Sequence, residues 1–226
     1  KVMKPILAVA SNRNAKLPFH SAAEMLAKAT AENKTLWELG VEYECARSGW
    51  SEREVLDYMK HVVETMEHSS TEALEGDIDM QGIIEPTAGK IESYVKSNPK
   101  ALDMGVMNTA VPWAMATMEY SSAMGVVLCA PTGGSAGFPG SVLGTATALG
   151  LSMEEKVRMM FVTSIVGIVM SKDCNYSAEL YGCQVEPGAA SAMAAAALVY
   201  HMGGTPKQSA AAASTALGNI LGTICD

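Results

Sequence analysis

The tightest constraint on the fold lies near the end of the sequence, where Ala194-Ala195-Ala196-Ala197 and Ala210-Ala211-Ala212-Ala213 flank Gly203-Gly204-Thr205-Pro206. Alanine is the strongest helix former, and its small side chain lets helix axes approach closely. The segment between the two runs is helix punctuation: glycine past one end, threonine as N-cap, and proline at the first position of the next helix. It predicts one helix over Gly188 to Met202 and another over Pro206 to Leu221, both at the centre of the fold. Three further helix starts are written as Thr35-x-x-Glu38, Ser51-x-x-Glu54 and Ser152-x-x-Glu155, each pairing a capping hydroxyl with a carboxylate that reaches back. After the second start, Val55, Leu56, Met59, Val62, Val63 and Met66 recur at the spacing of one helix face, and Glu54, Asp57, Lys60, Glu64 and Glu67 occupy the other.

From Met104 to Met124 the apolar residues run almost all round, as in a helix buried on several sides, with a kink expected at Pro112. Ser70 to Glu85 lacks periodicity and contains Gly76 and Gly82, which reads as an irregular connector before a short helix over Lys90 to Lys96 that Pro99 closes. Only Ile6 to Ala10 and Val126 to Leu128 hint at strand. The expected class is therefore all-α: a compact multi-helix domain with central Ala/Gly-rich helices. Residues 1–226 form a single domain in this reading, with a polar helical shoulder over 1–103 and an apolar core over 104–226 that carries the site.

Hydrophobic residues make up 49% of the chain and charged residues 18%, enough apolar material to exclude general disorder. A formal charge of −8 repels polyanions, so no nucleic acid partner is expected. Five cysteines are an odd count and scattered, which fits thiols in a reducing cytoplasm better than a disulfide framework. The most apolar window, Phe161 to Met170, covers half of the roughly 20 residues that span a bilayer, so it reads as a core helix and no membrane association is expected. Pro5 interrupts the apolar stretch that follows Lys1 to Lys4, which argues against a signal peptide.

Two segments could carry chemistry. Cys129-Ala130-Pro131-Thr132-Gly133-Gly134-Ser135-Ala136-Gly137 is a glycine-rich turn able to aim backbone N–H groups at a carboxylate or phosphate, although a plain helix connector explains it as well. It matches neither a Walker loop nor a dinucleotide turn. The stretch from Asp173 to Gly188 places polar groups, Cys174 and Cys183 between two very apolar helices, a costly arrangement unless those groups find partners. Any single cysteine, taken alone, reads as a small buried hydrophobe. His61 and His68 lie in a charge-rich helix and read as solvated, and His201 reads as meeting a helix C-terminus.

Several blocks in order resemble the α subunit, or catalytic domain, of the iron–sulfur-dependent L-serine dehydratases. They are Pro18-Phe19-His20-Ser21-Ala22-Ala23-Glu24, the Ala-Pro-Thr-x-Gly-Ser-Ala-Gly turn at 130–137, Gly182-Cys183-Gln184-x-Glu186, Ala192-Met193-Ala194-Ala195-Ala196, Gly203-Gly204-Thr205-Pro206 and Asn219-Ile220-Leu221-Gly222-x-x-Cys225-Asp226. The resemblance implies a lyase that converts L-serine to pyruvate and ammonia, using a [4Fe–4S] cluster with one iron open as Lewis acid. It makes Cys183 and Cys225, 42 positions apart, metal ligands. The family's third ligand comes roughly eleven residues later and falls beyond Asp226, so the sequence is expected to belong to a longer chain. Cys174 is a weaker substitute ligand.

The resemblance further implies that Thr132, Gly134 and Ser135, with Ser177 from the second loop, contact the substrate anion. His20 is the nominee for the base, since histidine titrates near about 6.5, with a helix-orienting role as the alternative. One departure bears on the substrate: where the family carries Asn-Ala-Ser-Ile-Ser-Gly-Ala, this chain reads Asp173-Cys174-Asn175-Tyr176-Ser177-Ala178-Glu179. A neighbouring substrate such as L-cysteine or another β-hydroxy amino acid, or a cluster-less helical subunit that serves only in assembly, are the alternative readings. The expected partners are a small amino acid, a β subunit, further copies of the chain, or both.

Overall fold

The computed structural model describes residues 12, 14–76, 78–82 and 84–222, and among them ten α-helices and one short 3-10 turn account for all the regular structure. The helices are α1 (Ala22–Glu32), α2 (Leu36–Ser48), α3 (Glu52–Glu75), α4 (Ala88–Ser97), α5 (Met107–Ser122), α6 (Gly137–Ala148), α7 (Met153–Met170), α8 (Ala178–Tyr181), α9 (Val185–His201) and α10 (Pro206–Asn219). The all-α expectation holds. Val126 to Leu128 is neither helix nor strand among the described residues, and Ile6 to Ala10 lies outside them.

All three capping signals form. The Ser51 and Ser152 hydroxyls accept from the amides of Glu54 and Glu155, and those carboxylates accept in return from the serine amides at 2.8 Å. Thr35 donates to Glu38 from both its amide and its hydroxyl. Thr205 and Gln208 repeat the device at the start of α10, with Pro206 at its first position. α3 runs six residues further than the connector read from Ser70 onward. The cluster Ser69-Ser70-Thr71 looks like loop, but the hydroxyls of Ser69 and Thr71 donate to carbonyls of the preceding turn. The Ser70 hydroxyl meets that of Thr117 on α5 at 2.8 Å. Pro112 sits in the sixth position of α5, where it removes the amide that would bond the Asn108 carbonyl.

The core is built on α7 and α9. Met159 to Thr163 and Ile165 to Gly167 are buried, so along the centre of α7 only Ser164 is partly open. Close approaches are made where glycine removes a side chain. On α6, Gly137, Gly140 and Gly144 fall on one face against Ala114, Thr117 and Trp113 of α5. Gly40 of α2 rests on Phe161 of α7, and Gly167 of α7 rests on Met193 of α9. The buried Glu119 of α5 caps another helix. Its Oε1 accepts from the Thr87 amide at 2.8 Å, the Thr87 hydroxyl at 3.0 Å and the Ala88 amide at 3.0 Å, and so closes the N-terminus of α4. Thr87 itself makes no side-chain cap bond, so the capping oxygen comes from across the fold.

Candidate functional site

The glycine-rich turn connects the segment after α5 to α6. Gly133–Ser135 forms a single 3-10 turn with Thr132 at its N-cap, and the Ala130–Pro131 peptide is cis. The Thr132 and Ser135 hydroxyls lie 3.0 Å apart, and the amides of Ser135 and Ala136 donate to the carbonyls of Thr132 and Gly133. Ser135 is 1% exposed, so its hydroxyl braces the turn from inside, while Thr132 and Gly134 remain partly open. The predicted anion contacts therefore divide: Thr132 and Gly134 face outward, and Ser135 holds them in place.

The second segment begins where α7 ends. The Cys174 thiol donates to the Met170 carbonyl at 3.3 Å, and burial, with Asp173 as a smaller cause, pushes its pKa up. Such a thiol is tied to the helix end and resists ionisation, which weighs against Cys174 as a substitute ligand. The Tyr176 hydroxyl donates to the Gly167 carbonyl at 2.6 Å. Ser177 stands before the single-turn α8 without capping it, and its hydroxyl donates to the Glu179 carboxylate at 2.5 Å. Gly182 then turns the chain with φ 81°, Cys183 follows on the surface, and α9 starts at Val185.

The two segments meet. A Cβ placed on Gly134 would stand 2.4 Å from Oε2 of Glu186, so the glutamate carboxylate is seated against the bare backbone of the turn. The Glu186 amide donates to the Cys183 carbonyl at 3.1 Å, which puts Cys183 one turn before Glu186 in the chain. Gly133 likewise faces the Cys129 sulfur at 3.6 Å. Glu186 was visible in the sequence only as part of a motif. The signal for a role was the pairing of an acidic residue at the start of a helix with a glycine that leaves room for it.

A cavity of about 690 Å³ adjoins the turn. Cys129, Ala130 and Pro131 form one wall, Tyr176 and Lys172 another, and Tyr43 and Arg47 of α2 a third. Arg47 is paired with Glu44, while the Lys172 ammonium lies over the Tyr43 ring at 5.8 Å. His20 stands exposed just before α1, its amide donating to the Glu24 carboxylate at 2.6 Å. The preceding Phe19 is buried with its ring 5.3 Å from that of Tyr43. The amide of His20 thus bonds within its own helix start, and the glycine-rich turn is braced by its own hydroxyls. Cys225 lies outside the described residues, and among those described no group of three His, Cys, Asp or Glu side chains is placed to hold a metal. The fit to an iron–sulfur cluster therefore rests on Cys183, a surface thiol beside an open glycine turn.

The profile of the serine dehydratase alpha chain family matches residues 22–226. The chain belongs to that family. It is 32% identical over 209 residues to the L-serine dehydratase alpha chain of Peptoniphilus asaccharolyticus, covering 92% of this chain and 71% of that one. It is 37% identical over 177 residues to the probable L-serine dehydratase alpha chain of Bacillus subtilis, covering 78% of this chain and 59% of that one. L-serine dehydratase 1 of Escherichia coli is 29% identical over 215 residues, of which this chain spans 47% of the length. The chain thus spans about three fifths of its Bacillus relative, and its family blocks at 130–137 and 182–186 are the two that the fold brings together.

Proposed function

We propose that this chain is the catalytic part of an L-serine dehydratase that converts L-serine to pyruvate and ammonia. The observation that carries the reading is the seating of Glu186 on Gly134, one helical turn from Cys183. It joins the anion-binding turn to the thiol that the family resemblance makes a metal ligand. Cys183 and Cys225, with a third thiolate, would hold a [4Fe–4S] cluster, and the chemistry it supplies when bound is Lewis-acid activation of the substrate hydroxyl. Thr132 and the backbone at Gly134 would receive the substrate carboxylate, and Ser135 keeps that turn in shape. Ser177 would add a contact to the substrate anion from the second loop. His20 is assigned the Cα proton, supported by its place next to Phe19, which packs on the Tyr43 wall of the cavity. Loss of the Cα proton and the β-hydroxyl releases water, and hydrolysis of the resulting enamine through its imine consumes water and yields ammonia and pyruvate. The reading includes a β-subunit partner, supported by the alpha-chain names of the relatives. It also places the protein in the cytoplasm, in keeping with its thiols and with the absence of any described helix long and apolar enough to cross a membrane.

The test is anaerobic iron–sulfide reconstitution of the full native chain with its partner, read by absorbance near about 400 nm and by pyruvate formed from L-serine. Loss of both in Cys183→Ala supports the reading. A cluster that persists in Cys183→Ala, or a wild-type protein that binds no iron, refutes it.

A further inference from the structure

Glu186 has a property the reaction scheme above leaves unused. Its side chain is partly buried at the first turn of α9, yet it takes part in no ion pair or side-chain hydrogen bond among the described residues. The other carboxylates close to the core do have partners: Glu119 accepts from the start of α4, and Glu67 holds Lys156 at 2.6 Å. A partly buried carboxylate that no cation of the fold occupies is free to receive one from a ligand. Gly134 provides the space, since any side chain there would meet Oε2 at 2.4 Å.

We infer that Glu186 receives the α-ammonium group of an amino-acid substrate. The argument rests on the dehydratase reading for the identity of the other contact, the turn that takes the carboxylate. An α-amino acid carries its two charges on a single carbon, so a protein that reads both must place an anion receptor and a cation receptor within the reach of one small molecule. A Cβ on Gly134 would stand 2.4 Å from Oε2 of Glu186, so the turn and the carboxylate are neighbours within the reach of one small molecule. Cys183, one turn before Glu186, would on the dehydratase reading set where the third substituent, the hydroxymethyl group, lies. Glu186 is in this view a specificity-determining residue that separates amino acids from hydroxy acids of the same size.

The test compares L-serine with glycerate, which keeps the carboxylate and the hydroxymethyl group and has a hydroxyl in place of the ammonium. In the reconstituted holoenzyme, Glu186→Gln is expected to raise KM for L-serine by about 10- to 100-fold, the loss of one hydrogen bond to a charged group, while leaving the inhibition constant of glycerate within about twofold. The cluster absorbance should not change. Glu186→Asp keeps the charge and should retain most of the preference for serine, which guards against a folding defect in the neutral variant. A wild-type KM in Glu186→Gln overturns the inference. Equal weakening of serine and glycerate also overturns it, because the glutamate would then be only a spacer for the turn. Equilibrium dialysis of both compounds against wild type and Glu186→Gln gives the same comparison without turnover, so a protein that binds serine through Glu186 but makes no pyruvate would refute the dehydratase reading alone.

Discussion

Replacing Glu119 by alanine tests whether one carboxylate in the core holds α4 to the rest of the molecule. Glu119 is 7% exposed and accepts from two backbone amides and one hydroxyl that lie 31 and 32 residues away in sequence. Each hydrogen bond to a charged acceptor is worth about 1.5–3 kcal/mol, and three of them would sum to well above the net effect. Against this stands the cost of keeping an ionised carboxylate out of water, which disappears in the variant. Removing the carboxylate leaves two amides and a hydroxyl without their acceptor, at about 1–3 kcal/mol for each group that water does not reach, so Glu119→Ala should lower stability by about 2–4 kcal/mol. With a urea dependence near 2.5 kcal/mol per molar, the unfolding midpoint followed by circular dichroism should fall by about 1–2 M. Glu119→Gln keeps an oxygen facing Thr87 and should lose about 1–2 kcal/mol, and Thr87→Ala, which removes a single hydroxyl donor, about 1 kcal/mol. A loss below about 1 kcal/mol in Glu119→Ala would show that water replaces the carboxylate at the start of α4, and the capping argument would fail.

Three other outcomes are expected. Gly144→Ala would push a methyl to within 2.7 Å of the buried Trp113 and should cost about 1–3 kcal/mol, whereas Gly218→Ala, where a methyl meets none of the described residues within 4 Å, should gain about 0.5–1 kcal/mol in the same urea titration. Thr35, Ser51 and Ser152 hold the pKa values of Glu38, Glu54 and Glu155 below the ordinary 4.5. Their stabilising contribution is present above that value and is lost as pH falls through the lowered ones. Stability should therefore decline below about pH 4.5, and a triple Glu→Gln variant should show a shallower decline. Burial, with Cys174 as a smaller cause, raises the pKa of Tyr176 above its ordinary 10.0, so the neutral phenol stabilises the fold below that pH and the benefit fades as pH climbs through the raised value. Tyr176→Phe should cost about 1 kcal/mol at neutral pH through the lost bond to Gly167, and it should remove that part of the alkaline decline.

What could be read in the sequence was what physics makes local. A capping box closes within four residues, so the starts of α2, α3, α7 and α10 were legible from Thr35, Ser51, Ser152 and Thr205 alone. The end of α3 was not, because the Ser69-Ser70-Thr71 hydroxyls can bond either to loop backbone or to the helix's own carbonyls, and the choice is made by Thr117, 47 residues on from Ser70. α6 went unread for a related reason. It has no polar face, and the glycines that look like turn residues are instead the places where Trp113 and Thr117 of α5 come close.

The same distinction governs the site. Thr132, Gly134, Cys183 and Glu186 all stood in blocks visible in the chain, but the sequence ranks a thiol and a glycine turn above a glutamate because the first two have chemistry in isolation. Glu186 acquires its meaning only from Gly134, 52 positions earlier, whose missing side chain is where the carboxylate sits. A glycine selected for space rather than for φ leaves no local mark, since Gly134 is not in the left-handed region and nothing in the turn itself demands it. The demand comes from across the fold. Gly134→Ala should therefore resemble Glu186→Gln in raising KM for L-serine, because the added methyl displaces the same carboxylate, and it should do so although the alanine backbone is unstrained. Wild-type serine binding in Gly134→Ala would mean that the glutamate moves aside freely, and its close seating on the turn would then carry no weight in the recognition of substrate.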